Sequence, residues 1–207
     1  MQYLYLHGFA SGPQSTKAQA LRSQFQALGL SLQIPDLNQN DFTHLTLTRQ
    51  IQQVVPLVTS NTVLIGSSLG GLVASWVAEQ APVNRLVLLA PAFNFLDQWL
   101  PRLGPEALRH WEQSQRLSVY HYAEQRQLPL AYDFLTDARQ YCETTLRRAV
   151  PTLILHGEQD DVVSLAGSQQ YAATRPWVTL TPLPTDHAMT DVLDQIWKAV
   201  QAFCGVR

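Results

Sequence analysis

Six short apolar runs, at residues 3–6, 30–34, 62–65, 86–89, 152–155 and 178–180, are separated by segments whose apolar residues recur at helical spacing. Several of these runs are β-branched and each ends near Gly, Pro, His or Asp, so they read as buried strands. Between them, Ala18, Leu21, Phe25 and Leu28 fall on one helical face, as do Leu47, Ile51, Val54 and Val58. A third stripe is Leu72, Val73, Trp76 and Val77, and a last one is Val192, Ile196, Val200 and Phe203. The "TKAQ" at 16–19 offers a capping box for the first helix, and Pro56 should kink or end the second. Strands alternating with helices constrain the chain to an α/β fold with a parallel sheet, because right-handed crossovers lay helices over both faces.

One segment breaks this rhythm. Residues 93–149 contain no convincing strand, yet Trp99, Trp111, Tyr120, Tyr122, Tyr132, Phe134 and Tyr141 gather there among polar residues. We read it as a mostly helical insertion between the fourth and fifth strands, forming a cap. The 207 residues, 46% hydrophobic and without a Pro/Gly/Ser-rich linker, can bury one sizeable core, so a single domain over 1–207 is expected. A formal charge of −2 with no Lys/Arg run argues against nucleic-acid and anionic-membrane partners, leaving a small molecule. No apolar stretch approaches the roughly 20 residues of a membrane-spanning helix, and "MQYLYLHGF" lacks the features of a signal peptide. Cys142 and Cys204 alone make neither a disulfide framework nor a metal cluster. A reduced, cytoplasmic protein is expected, with no metal and no organic cofactor.

The feature that carries chemistry is "VLIGSSLGGLVASW" at 63–76. It is a G-x-S-x-G sequence, Gly66 to Gly70, set between an apolar strand and an amphipathic helix. That is the context in which a serine is held on a strained turn for nucleophilic attack, and the flanking glycines allow the backbones to close together. Ser68 is then the nucleophile. A serine hydroxyl attacks poorly at neutral pH unless a base takes its proton and an acid orients that base. Of the six histidines, only His187, in "LPTDHAMTD", follows the last strand. The preceding strand leads into "HGEQDDVV", where Asp160 is favoured as the acid, Asp161 is the runner-up and Glu158 comes third. The glycine-containing turn "HGFASGP" can aim the backbone N–H of Phe9 at a developing oxyanion, beside the N–H of Leu69. His7 and His156 are expected to pack or hydrogen-bond beneath their own turns.

Together, "LYLHGF", "IGSSLGG", "LHGEQDDVV" and "TDH" resemble the α/β-hydrolase superfamily over essentially the whole chain. The run "YLHGFASGPQSTK" is similar to the small bacterial esterases of the YqiA/YcfP type. This resemblance implies a shortened hydrolase sheet of strand order 2-1-3-4-5-6. It also implies ester or thioester hydrolysis through an acyl-enzyme, with Ser68 as nucleophile, His187 as base, Asp160 as orienting acid and Phe9 and Leu69 as oxyanion donors. Asp161 stands where many relatives carry proline, which keeps the choice of aspartate open. Activity should fall in mild acid, where a histidine base is protonated. The aromatic residues of the insertion would cover the strand ends where such sheets bind ligands. Arg102, Arg109, Arg116 and Arg126 could favour an anionic substrate, although arginines so spread more often face solvent. The other readings are a thioesterase, a carbon–carbon bond hydrolase, or a non-catalytic ligand-binding protein of the same fold.

Overall fold

The computed structural model describes residues 1–206. In chain order the elements are β1 (Gln2–Leu6), α1 (Thr16–Ala27), β2 (Leu32–Gln33), α2 (Leu47–Val54), β3 (Thr62–Ser67), α3 (Leu69–Gln80) and β4 (Arg85–Leu89). The segment predicted as an insertion follows, with α4 (Phe95–Ser114), β5 (Arg116–His121), β6 (Arg126–Ala131) and α5 (Asp133–Ala138). The chain ends with β7 (Thr152–Gly157), α6 (Leu165–Ala173), β8 (Val178–Leu183) and α7 (Leu193–Cys204). The main sheet has six strands in the order β2-β1-β3-β4-β7-β8, all parallel. Numbered among themselves, those strands have the predicted order 2-1-3-4-5-6.

The pleat explains how near-continuous apolar runs fill a two-sided core. Tyr3, Tyr5, Val63, Ile65, Val87, Leu89, Leu153 and Leu155 face the layer of α1 and α7, packing with Phe25, Ile196 and Val200. Their alternates Leu4, Leu6, Leu64, Leu86, Leu88 and Ile154 face α2 and α3, packing with Ile51, Val54, Val73 and Val77. A sheet covered on both faces buries successive residues of each strand, which is why these strands show apolar runs rather than alternation.

Local signals were followed with three exceptions. α1 begins at Thr16, with Ser15 in the cap position, and the Gln19 side chain donates to Pro13 O at 2.8 Å, so the capping box is not formed. β2 keeps only two of the five residues expected at 30–34, because Gly29 at φ 69° and the Leu30 N–H bond to Phe25 O close the end of α1 there. The third exception is the insertion, which contains strands. β5 and β6 pair antiparallel, with Leu117 opposite Leu130 and Val119 opposite Leu128. These four pack on the core, while Arg116, Ser118 and Tyr120 alternate outward. The period-two pattern was masked by polar outward residues and by Pro129, which a two-stranded ribbon tolerates. α4 is itself two helices joined at Gly104, which has φ 77° and is flanked by Pro101 and Pro105.

The insertion is tied to the body. Tyr122 N–H donates to Ala10 O and Ala131 N–H to Thr43 O, each at 2.8 Å. Phe42 stacks edge-on against His121, with ring centroids 4.8 Å apart. Trp111 is fully buried inside it and donates its indole N–H to Leu130 O at 3.0 Å. The hairpin therefore lies beside the β1–α1 loop, at the end of the sheet that carries Ser68.

Candidate active site

Ser68 occupies the junction of β3 and α3 with φ 54° and ψ −121°, a conformation that costs a non-glycine residue about 1–3 kcal/mol. The strain is held in place by backbone bonds: Ser68 N–H donates to Leu89 O at 2.9 Å, while its carbonyl accepts from Gly71 N–H at 2.8 Å and Ala92 N–H at 3.1 Å. The turn is possible only because side chains are missing around it. A Cβ on Gly66 would overlap the Gly70 carbonyl, and one on Gly70 would overlap the carbonyl oxygens of Leu6 and His7. Backbone cannot retreat from such a clash as a flexible side chain can. Gly70→Ala should therefore lower stability by about 3 kcal/mol. Gly29→Ala, which meets open space at positive φ, should cost only about 1 kcal/mol. Urea unfolding of the two variants measures the difference.

The hydroxyl of Ser68 lies 3.1 Å from His187 Nε2, and His187 Nδ1 lies 2.7 Å from Asp160 Oδ2. Beside a carboxylate the Nδ1 carries the proton and donates it, leaving the Nε2 lone pair to accept from the serine. The Asp160 side chain is fully buried, that of His187 one-fifth exposed. Asp160 Oδ1 accepts from Val162 N–H at 2.9 Å and Val163 N–H at 2.7 Å. Burial alone would raise the Asp160 carboxyl, but hydrogen bonds from His156, His187 and Val163 outweigh it and hold the group well below the ordinary carboxylate range. Asp161 and Glu158 are exposed, and the backbone carbonyl of Asp161 accepts from Arg102.

His156 does more than pack beneath its turn. Its Nε2–H donates to Val163 O at 2.9 Å and stands 3.3 Å from Asp160 Oδ2, while Nδ1 accepts from Ser168 Oγ at 2.8 Å. Two histidines thus face one carboxylate oxygen. The only sequence signal was the four-residue spacing within "HGEQD". His7 is buried likewise, its Nε2 accepting from Leu37 N–H at 3.0 Å.

The turn after β1 touches the serine directly. A Cβ on Gly8 would sit 3.3 Å from Ser68 Cβ and 3.8 Å from its Oγ. This brings Phe9 beside Ser68, and Leu69, as the first residue of α3, has an N–H with no partner inside the helix. His187 lies on the loop between β8 and α7. Lys17 Nζ donates to the carbonyls of His187 (3.2 Å) and Ala188 (2.9 Å), and the Asp186 carboxylate accepts from Met189 N–H at 3.1 Å. Sequence reasoning passed over Lys17, although it ends the quoted run "YLHGFASGPQSTK".

A cavity of about 590 Å³ opens over Ser68 and His187. The insertion contributes Phe95, Trp99, Val119, Tyr120 and Tyr122 to its wall, and Phe9 faces them from the body. Trp111, Tyr132, Phe134 and Tyr141 are absent from the wall and pack within the insertion or against the body. The volume suits a small molecule with an apolar group. Among the described residues, no group of three or more His, Cys, Asp or Glu side chains is placed to hold a metal ion. No helix there is long and apolar enough to cross a membrane.

A family model described as an uncharacterised protein family, UPF0227, matches residues 2–204. No curated protein matches the sequence. Among solved structures, a protein from Agrobacterium vitis S4 is 20% identical and superposes with a TM-score of 0.85, covering 100% of this chain and 88% of its own. Alpha/beta hydrolase domain-containing protein 10 from mouse is 20% identical with a TM-score of 0.80, over 99% of this chain and 89% of its own. Est1E from Butyrivibrio proteoclasticus is 19% identical with a TM-score of 0.77, over 98% and 86% respectively. The fold is that of the α/β-hydrolases.

Proposed function

We propose that this chain, which belongs to the uncharacterised protein family UPF0227, is a serine hydrolase that cleaves carboxylic esters of short to medium acyl length. The observation that carries the reading is the continuous hydrogen-bonded chain from Ser68 through His187 to buried Asp160, at 3.1 and 2.7 Å.

In this reading His187 Nε2 takes the proton of Ser68 as Oγ bonds to the ester carbonyl carbon. The carbonyl π electrons move to oxygen, where the N–H groups of Phe9 and Leu69 receive the charge, each donor contributing about 3 kcal/mol. The tetrahedral species collapses, the C–O bond to the alcohol breaks, and His187 returns the proton to the departing oxygen. Water then repeats the sequence on the acyl-enzyme, with His187 again as base and Ser68 as leaving group. Asp160 stays ionised throughout, holding the Nδ1–H tautomer and stabilising the imidazolium. The substrate is a small ester or thioester, and no step calls for a metal or organic cofactor.

The test is labelling with a fluorophosphonate, followed by peptide mapping, together with rates on 4-nitrophenyl esters from acetyl to palmitoyl. Phosphonylation of Ser68 and a rate maximum at short or medium chains are expected. Folded protein that neither labels nor hydrolyses any ester would point to a ligand-binding protein of this fold. Parallel rates on matched thioesters and diketones decide whether the bond is an ester, a thioester or a carbon–carbon bond.

A further inference from the structure

The proposed reaction leaves one cation beside Ser68 and His187 without a role. Lys17, the second residue of α1, lines the cavity beside Ser68, His187 and Ala188. Its ammonium donates to two backbone carbonyls, those of His187 and Ala188. An ammonium has three N–H donors, so one remains for another acceptor. Among the described residues no carboxylate forms an ion pair with it. Asp160 is engaged by His187, Val162 and Val163, and Asp186 by Met189 N–H.

The cavity wall repeats this imbalance. Lys17 and Arg102 line it, while no Asp or Glu does. Arg102, contributed by the insertion, is exposed in the cavity wall and its guanidinium donates to Asp161 O, and among the described residues it forms no ion pair with a carboxylate. A pocket walled by one sign of charge and apolar rings favours a ligand of the opposite sign. Burial lowers the Lys17 pKa to about 8, against the pull of Asp160 and Asp186, so the ammonium is short of solvation or of a counter-ion.

We propose that Lys17 is the anion-binding residue of the substrate pocket, with Arg102 at its rim, and that the ester taken here carries a carboxylate. This rests on the serine-hydrolase reading above. The carboxylate accepts the third N–H of Lys17, and the aromatic wall holds the apolar remainder of the molecule.

Two matched pairs of esters test it. 4-Nitrophenyl hydrogen adipate against 4-nitrophenyl hexanoate places the anion on the acyl side. 4-Acetoxybenzoate against methyl 4-acetoxybenzoate places it on the leaving group. For one pair or both, the anionic-to-neutral ratio of kcat/KM should fall about tenfold in Lys17→Met, the size of one lost ion pair in a partly desolvated site. It should be retained in Lys17→Arg. Lys17 also holds the loop of His187, so Lys17→Met slows both members of a pair, and the ratio cancels that loss. The wild-type enzyme provides a second readout that needs no variant. The groups facing Lys17 are the Asp160 and Asp186 carboxylates and His187, and His187 acts on both members of a pair, so its contribution cancels in the ratio. With the Lys17 pKa at about 8 the anionic preference should fall about fivefold between pH 7 and 9, and Lys17→Met should show no such fall. Ratios that are unchanged in Lys17→Met, and unchanged between pH 7 and 9 in the wild type, overturn the proposal while the hydrolase stands. Folded protein that turns over no ester and takes no fluorophosphonate overturns both.

Discussion

If the chain is the proposed serine hydrolase, Ser68→Ala is expected to lower kcat on every ester by on the order of 10⁴- to 10⁶-fold, with the fold intact. The size follows from the bond that forms: without Oγ no acyl-enzyme exists, and what remains is the binding cavity and two backbone donors acting on water. Alanine meets the same positive φ as serine, so the turn is no more strained than before, and the bonds from Leu89, Gly71 and Ala92 are made by backbone atoms that the substitution leaves in place. Circular dichroism and a melting temperature within a few degrees of wild type, measured beside the rate, separate loss of the nucleophile from loss of the elbow. Equal rates in the two proteins would remove Ser68 from the chemistry.

Asp160→Asn is expected to cost about 10⁴-fold in kcat while leaving KM nearly unchanged. The orientation of the new amide is dictated by its neighbours. Val162 and Val163 present two N–H donors to the position of Oδ1, so the asparagine must keep its carbonyl oxygen there. Its NH₂ then replaces Oδ2, which faces His187 Nδ1 at 2.7 Å. An NH₂ group can only donate, so His187 Nδ1 must accept, and the ring proton moves to Nε2. In that tautomer the ring has no lone pair to offer the Ser68 hydroxyl. A loss of less than tenfold would exclude Asp160 as the group that sets the tautomer, and Asp161→Asn in parallel tests the neighbouring aspartate.

The same substitution has a signature in stability. The folded-state pKa of Asp160 lies below its unfolded value, so its ionisation stabilises the protein above about pH 4 and that contribution is lost as the pH falls through the folded value. The gap in urea midpoint between wild type and Asp160→Asn should therefore be wide at pH 7 and narrow towards pH 3. A gap independent of pH would mean that the carboxylate gains nothing from its donors.

Much of this architecture is written in local pattern. A strand buried on both faces needs a short, nearly unbroken apolar run, and a helix on that sheet needs one apolar stripe, so the main strands and the helices between them can be read from neighbours in sequence. The elbow is equally local. Gly66 and Gly70 leave room for backbone atoms within a few residues or on the adjoining strand, and Ser68 between them is constrained by the same turn. The β5–β6 hairpin resisted such reading because its outward face is polar, and its inward face became a core only once α4 and the β1–α1 loop were placed against it.

The sequence by itself determined the chain order of the six main-sheet strands and the helices between them, the layering of the core and the strained turn that raises Ser68, because each depends on contacts a few residues apart, on one repeating face or on the adjoining strand. Tertiary structure alone decided the rest. Ser68 and His187 are 119 positions apart and His187 and Asp160 are 27 apart, and their hydrogen bonds exist only because β3, β7 and β8 end on the same side of one parallel sheet. The same assembly brings Lys17 to the carbonyls of a loop 170 positions away and, among the described residues, leaves that lysine without a carboxylate ion-pair partner. Hydrogen bonds and desolvation act over a few ångströms, and only the folded chain determines which groups come that close.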